Sequence, residues 1–137
     1  MKKRKIPGLN IQYPWTEFLL SGKKTIETRT YPIPRKYIGI ELAMIETPAK
    51  IPSDANNPKT ARIVGTIVFG EPFKYQSIRD WKNDCDKHLV ESGHQQFSWK
   101  ERQGEVWGWP VLKFTRLKTP RPRPRVKGIV FAKECHI

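Results

Sequence analysis

The chain has 137 residues, the size of one ordinary domain, and 37% of them are apolar, with five Trp, six Phe and four Tyr; that is enough for one core and excludes wholesale disorder. No run approaches the ~20 apolar residues of a membrane helix, and the basic start Met1 to Lys5 runs into Pro7, Asn10, Gln12, Pro14 and Glu17, so we expect a protein that is unexported, off the membrane and cytoplasmic. Two cysteines, Cys85 and Cys135, fit free thiols in a reducing compartment rather than a stapled scaffold, whereas 26 Lys and Arg against 13 Asp and Glu give +13 and favour a polyanionic partner.

In chain order, Tyr13 to Gly22 predicts a short helix, with Pro14 at its first position, Trp15, Phe18 and Leu19 at helical spacing and Gly22 as the stop. Thr25 to Tyr31 is β-branched and predicts a strand, ended by Pro32 and Pro34. Ile38, Ile40, Leu42 and Met44 alternate through a second strand, and Pro48 to Pro58, including Pro52 and Ser53, forms a long polar loop. Ala61 to Phe69, apolar on both faces, predicts a central strand. Ser77 opens a helix, with Ile78, Trp81, Cys85 and Leu89 as the core-facing stripe and Ser92-Gly93 as the stop. Glu105 to Leu117 predicts a strand with an irregularity at Gly108-Trp109-Pro110, Thr119 to Arg125 an extended polyproline-like segment, and Val126 to Lys133 a last strand. The fold class is α+β, mainly β, in one domain spanning 1–137, with no repeat and no dividing linker.

The charge is unevenly placed. Lys113, Arg116, Lys118, Arg121, Arg123, Arg125 and Lys127 are seven basic residues with no acid between them, and Lys2 to Lys5 add four, while residues 71–105 hold seven of the 13 acids. Arg116, Arg121, Arg123, Arg125 and Lys127 are the candidate phosphate contacts, because cations displace condensed counterions from a nucleic-acid backbone. A solvated basic face that only keeps the chain soluble is the alternative meaning of the same residues.

Gly22-Lys23-Lys24-Thr25-Ile26-Glu27-Thr28-Arg29 fits G-x-K-x-x-E-x-R where a helix turns into a strand. Gly22 admits a positive φ for that turn, and Glu27 and Arg29, two apart on a strand, point to one side. A Lys, a Glu and an Arg converging in a concavity would bind a phosphate, pair with the polar edges of a base or tune one another's protonation. On an exposed strand the same pair is an ordinary surface ion pair worth at most ~1 kcal/mol.

The motif resembles that of the ASCH domain, a member of the PUA-like superfamily, and the Tyr13-Pro14-Trp15 opening, the Val106-Trp107-Gly108-Trp109 strand and the prolines before Gly128-Ile129 are similar to other parts of that family. The resemblance implies a PUA-like open β-barrel of five or six strands with two flanking helices, and a cleft beside the motif suited to RNA or a nucleobase-like ligand. Gly22, Lys24, Glu27 and Arg29, with Trp109, are then the ligand-binding candidates. Some relatives are hydrolases, either amidohydrolases acting on N4-acetylcytidine or ribonucleases. In the amidohydrolase pattern Lys24 carries over, but a Thr nucleophile stands where this chain has Glu27, a carboxylate that would act as a general base or hold a hydrogen-bond donor and cannot replace an activated hydroxyl without changing the mechanism. Lys24 and Glu27 are the catalytic candidates if the chain is an enzyme, and the second carboxylate of that pattern has no assignable counterpart among Glu71, Glu91, Glu101 and Glu105.

Other constellations are weaker. Cys85, His88, His94, Cys135 and His136 form no paired half-site, so no metal and no cofactor is expected. There is no G-x-S-x-G turn and no Gly-rich phosphate loop. Trp99, Trp107 and Trp109 interleave with Lys100, Arg102, Lys113 and Arg116, a mixture suited to base stacking, with one or two of the three expected to reach a ligand. The sequence therefore favours a monomeric module that binds RNA or a modified nucleotide, with a small hydrolase at the same cleft as the alternative.

Overall fold

The computed structural model describes residues 4–50 and 54–137. Of the expected features, Lys2 and Lys3 in the basic start and Pro52 and Ser53 in the polar loop lie outside those residues. The described chain is mainly β. Its strands are β1 (Lys5–Gln12), β2 (Ile26–Arg29), β3 (Leu42–Thr47), β4 (Arg62–Phe69), β5 (Phe73–Lys74), β6 (Trp107–Pro122) and β7 (Phe131–His136), with short helices α1 (Trp15–Leu20), α2 (Ile78–Asn83) and α3 (Cys85–His88) between them. They form one open sheet in the order β2-β6-β4-β3-β1-β7, with β5 beside β6. β1 and β3 run parallel and every other pairing is antiparallel. The sheet curls: Arg29 on β2, at one end of the strand order, donates from Nη2 to the Asn10 carbonyl of β1 at 2.9 Å.

The inner face of the curl carries the main core, in which Leu9 and Ile11 of β1, Leu42 and Met44 of β3, Ile67 and Phe69 of β4 and Trp109 of β6 alternate inward and meet Leu19 and Leu20 of α1. β4 is central, as its two-sided apolar pattern requires. A smaller cluster of Ala43, Ile45, Ile63, Ala132 and Cys135 covers the opposite face. A third, of Tyr75, Trp81, Val90 and Val106, fastens α2, α3 and the irregular segment 92–106 to the sheet, with Phe97 and Trp99 against it. No helix among the described residues is long and apolar enough to cross a membrane.

Several elements differ from the sequence expectation. The helix expected from Ser77 to about Glu91 breaks at Asp84, whose carboxylate takes a 2.8 Å hydrogen bond from the Tyr75 hydroxyl. Its buried positions are Trp81 and His88, while Ile78 and Cys85 are exposed, so Cys85 does not face the core. The strand expected from Ile38 begins at Leu42, because Arg35–Tyr37 is a 3-10 turn and Gly39 has φ +73°. β6 continues to Pro122 through the expected polyproline segment; beyond Val111 it pairs with β4 on one side only, an edge that tolerates prolines. Val126 and Ile129 are exposed and the last strand starts at Phe131. β1 and β5 were not expected: Pro7 and Gly8 interrupt β1's alternation, and β1 carries a register irregularity between Ile6 and Gly8.

α1 lies close over β4 at Gly65, where a Cβ would stand 2.5 Å from the Thr115 carbonyl oxygen and 2.8 Å from Leu20 Cδ2. Gly65→Ala is expected to destabilise the fold by about 1–3 kcal/mol through overpacking against backbone, read as a lowered midpoint in urea unfolding; an unchanged midpoint would contradict this packing of α1.

Candidate functional site

The motif assembles the site through short-range geometry. α1 ends at Leu20, Gly22 turns the chain at φ +79°, and the Lys24 amide donates back to the Phe18 carbonyl at 3.0 Å. The chain then enters β2, where Ile26↔Pro110 through Arg29↔Trp107 pair with β6. Thr25 N–H donates to the Lys87 carbonyl at 2.9 Å, which brings the end of α3 against the turn. Leu89 follows with φ 62°, and the carbonyl of His88 points at Lys24, whose Nζ donates to it.

Lys24 and Glu27 are both buried, at 2% and 5% exposure, so this is not the surface pair that spacing alone would suggest. Glu27 Oε1 lies 3.7 Å from Lys24 Nζ, and Glu27 Oε2 accepts from Arg29 Nε at 3.0 Å. Burial is the largest influence on Lys24 and lowers its ammonium to about 8, against the raising effect of Glu27. Burial pushes the Glu27 carboxyl upward, but Arg29, then Lys24 and Arg102, outweigh it and hold the group below the usual carboxylate range. Burial opposes charge on Arg29 as well, and Glu27 reverses that and raises it. Arg102 reaches in from segment 92–106, donates from Nη1 to Thr28 Oγ1 at 2.8 Å and lies 4.9 Å from the Phe97 ring centroid. Burial brings its guanidinium down to about 10, so it is charged at neutral pH.

These groups border a cavity of about 180 Å³. Lys24, Arg29 and Arg102 are its three cations and Glu27 its one carboxylate, while Gln12, Asn10 and Thr47 add neutral polar groups and Trp15 and Phe97 the aromatic wall. Trp15 meets Phe97 edge-on at 6.0 Å and has Lys24 Nζ 4.8 Å from its ring centroid. His94 extends this wall; its Nδ1 accepts the amides of Gln96 and Phe97, both at 3.1 Å, which fixes the loop. A second cavity of about 200 Å³ shares Asn10 and Thr47 with the first and is bordered by Arg123 and Lys127. Asn10 sets this junction, donating from Nδ2 to the carbonyls of Gly128 at 3.0 Å and Ile129 at 3.2 Å.

Of the residues singled out in the sequence, Lys24, Glu27 and Arg29 therefore converge, and Arg123 and Lys127 stand beside them. Gly22 makes the turn and does not line the cavity. Trp109 is fully buried with its Nε1 bonded to the Tyr31 carbonyl at 3.0 Å; it supports Arg29, whose Cζ lies 5.4 Å from its ring, and offers no surface to a ligand. Arg116 is held in a two-pronged pair with Glu17 of α1, at 3.0 and 3.1 Å. Arg121 and Arg125 are exposed and border neither cavity. Asn10, Gln12, Trp15, Thr47 and Phe97 were not assigned to the site from sequence, and Arg102 stood only in a mixture of aromatic and basic residues. No cluster of three or more metal-ligating side chains occurs among the described residues. No protein-family model matches the chain, and no curated protein matches it in sequence.

Lys24 should link stability to pH. The folded chain releases this proton near 8 and the unfolded chain near 10.5, so between those values the unfolded state binds more protons and this group's contribution to stability rises with pH. Urea unfolding between these limits should show that rise in the wild type relative to Lys24→Met; parallel profiles would contradict a depressed Lys24.

Proposed function

We propose that this chain is an ASCH-type, PUA-like module that binds single-stranded RNA or a modified nucleotide, taking one base-like group into the cavity at Lys24, Glu27 and Arg29. The observation that carries this reading is the cavity's charge and size together: three cations around one carboxylate, walled by Trp15 and Phe97, in about 180 Å³. That is below the roughly 300–1,000 Å³ of pockets for drug-sized ligands, and it suits a single ring with polar edges. Gln12 and Thr47 offer an amide and a hydroxyl to those edges, and the cavity bordered by Arg123 and Lys127 continues the path for a phosphate backbone. A duplex holds its bases in the stack, so a cavity that takes in a single base favours a strand or a free nucleotide.

Binding is favoured over hydrolysis by how the polar atoms are engaged. Glu27 Oε2 is taken by Arg29, Oε1 faces the Lys24 ammonium, and Lys24 itself donates to the His88 carbonyl. Thr28, the hydroxyl next to Glu27 in sequence, accepts from Arg102. A general base needs a free, basic oxygen within reach of its proton, and the cations keep Glu27 ionised and weakly basic.

Three measurements test this. Anisotropy with a short single-stranded RNA should show affinity falling with salt, and Arg123→Gln with Lys127→Gln should flatten the slope by about 1 to 1.5, near the ~0.7 expected per single-strand phosphate contact; equal slopes would take these residues off the backbone path. Glu27→Gln should weaken RNA binding by about 1–3 kcal/mol, because Arg29 and Lys24 lose their shared anion. Incubation with N4-acetylcytidine should give no deacetylation; turnover by the wild type that vanishes in Lys24→Ala would replace the binding module with a hydrolase.

A further inference from the structure

Among the three cations of the cavity, the partners are unequally shared. Arg29 gives Nε to Glu27 and Nη2 to the Asn10 carbonyl, and Lys24 is placed between the His88 carbonyl and Glu27. Arg102 meets no carboxylate within ion-pair distance among the described residues; its one side-chain hydrogen bond there is to the neutral Thr28 hydroxyl. A guanidinium carries five N–H donors in a planar fork, so most of this fork has no protein acceptor. The side chain is nevertheless held in place, by Thr28 at one end and the Phe97 ring 4.9 Å from Cζ, and the Arg102 amide donates to the Ser98 carbonyl at 3.0 Å.

Its position is as informative as its charge. Arg102 borders both the Lys24 cavity and a wider one of about 440 Å³, and Arg29 and Phe97 border the two as well. Glu101 lies on the rim of the wider cavity, exposed and outside ion-pair distance of Arg102. The cation of the site that no carboxylate pairs directly is therefore placed at the residues the two cavities share. A fixed, partly desolvated guanidinium fork matches two oxygens of a phosphate or carboxylate and attracts them more strongly than an exposed lysine would.

We propose that Arg102 is the anchor for a phosphate ester attached to the group that fills the Lys24 cavity, so that the ligand is a nucleotide or a nucleotide within a strand, and not a free base or nucleoside. This rests on the base-binding function proposed above, but the anion site is testable without it. Millimolar inorganic phosphate, compared with chloride at equal ionic strength, should raise the melting temperature of the wild type and of Arg102→Lys, and leave Arg102→Gln unmoved. Calorimetry with cytidine and cytidine 5′-monophosphate should show the monophosphate bound at least about tenfold more tightly by the wild type, in keeping with a charge-assisted hydrogen-bond pair. In Arg102→Gln that preference should fall to about twofold, and Arg102→Lys should recover part of it with a native circular dichroism spectrum. Phosphate that stabilises wild type and Arg102→Gln equally, or that stabilises neither, overturns the proposal, as does equal affinity of the wild type for cytidine and its 5′-monophosphate. Stabilisation by phosphate through Arg102 with no binding of either cytidine compound would sustain the anion site and refute base binding.

Discussion

The buried carboxylate of Glu27 is the group around which this site is organised. It lies on β2 at one end of the sheet, and the charge it carries holds Arg29 on one oxygen and Lys24 near the other. Arg29 in turn reaches the Asn10 carbonyl of β1, so the pair that neutralises Glu27 also ties the curled sheet across its opening. An uncompensated charge at such depth costs several kcal/mol, which makes each member of the trio a condition for burying the others. Asn10 passes the connection on through its side chain to Gly128 and Ile129, which sets the β6–β7 segment bearing Arg123 and Lys127 beside the cavity.

The trio already sets two cations against one anion, and segment 92–106 widens that excess by adding Arg102 without a paired acid. The segment has no helix or strand of its own, yet His94, Ser98 and Trp99 cap its turns through amide hydrogen bonds, and Phe97 and Trp99 pack on the third core cluster. A scaffolded loop over a sheet edge is a common way to fix ligand-binding side chains while the sheet supplies the rigid floor. His88 belongs to the same support: its ring stacks on Trp81 at 4.9 Å, Nδ1 accepts the Val90 amide, and Nε2 donates to the Trp81 carbonyl, leaving its own carbonyl for Lys24.

What could be read from the sequence follows from which contacts are local. Lys24, Glu27 and Arg29 sit within one turn and one short strand, so covalent spacing alone brings them near each other. The central β4 was legible from its uninterrupted apolar run. Asn10 and Arg102 were not assigned because they come from a strand whose alternation is broken by Pro7 and Gly8 and from a loop without periodicity, and only tertiary packing brings them to β2. Trp109 went the other way: an aromatic in a basic stretch suggested stacking, but the sheet's curl turns it inward. The apolar stripe of Ile78, Cys85 and Leu89 failed for a similar reason, since the Tyr75 hydroxyl engages Asp84 where the helix breaks, and His88 takes the buried position.

The central claim is that the cavity organised by Glu27 is where a nucleic-acid ligand sits, and its most direct measurement is a side-chain and amide NMR titration of the whole chain with a short mixed-sequence single-stranded RNA. The account predicts that the Trp15 indole, the Lys24 ammonium and the Arg102 guanidinium resonances shift together with those of Arg123 and Lys127. Shifts confined to the exposed basic face of β6, with the Trp15, Lys24 and Arg102 signals unmoved, would contradict it.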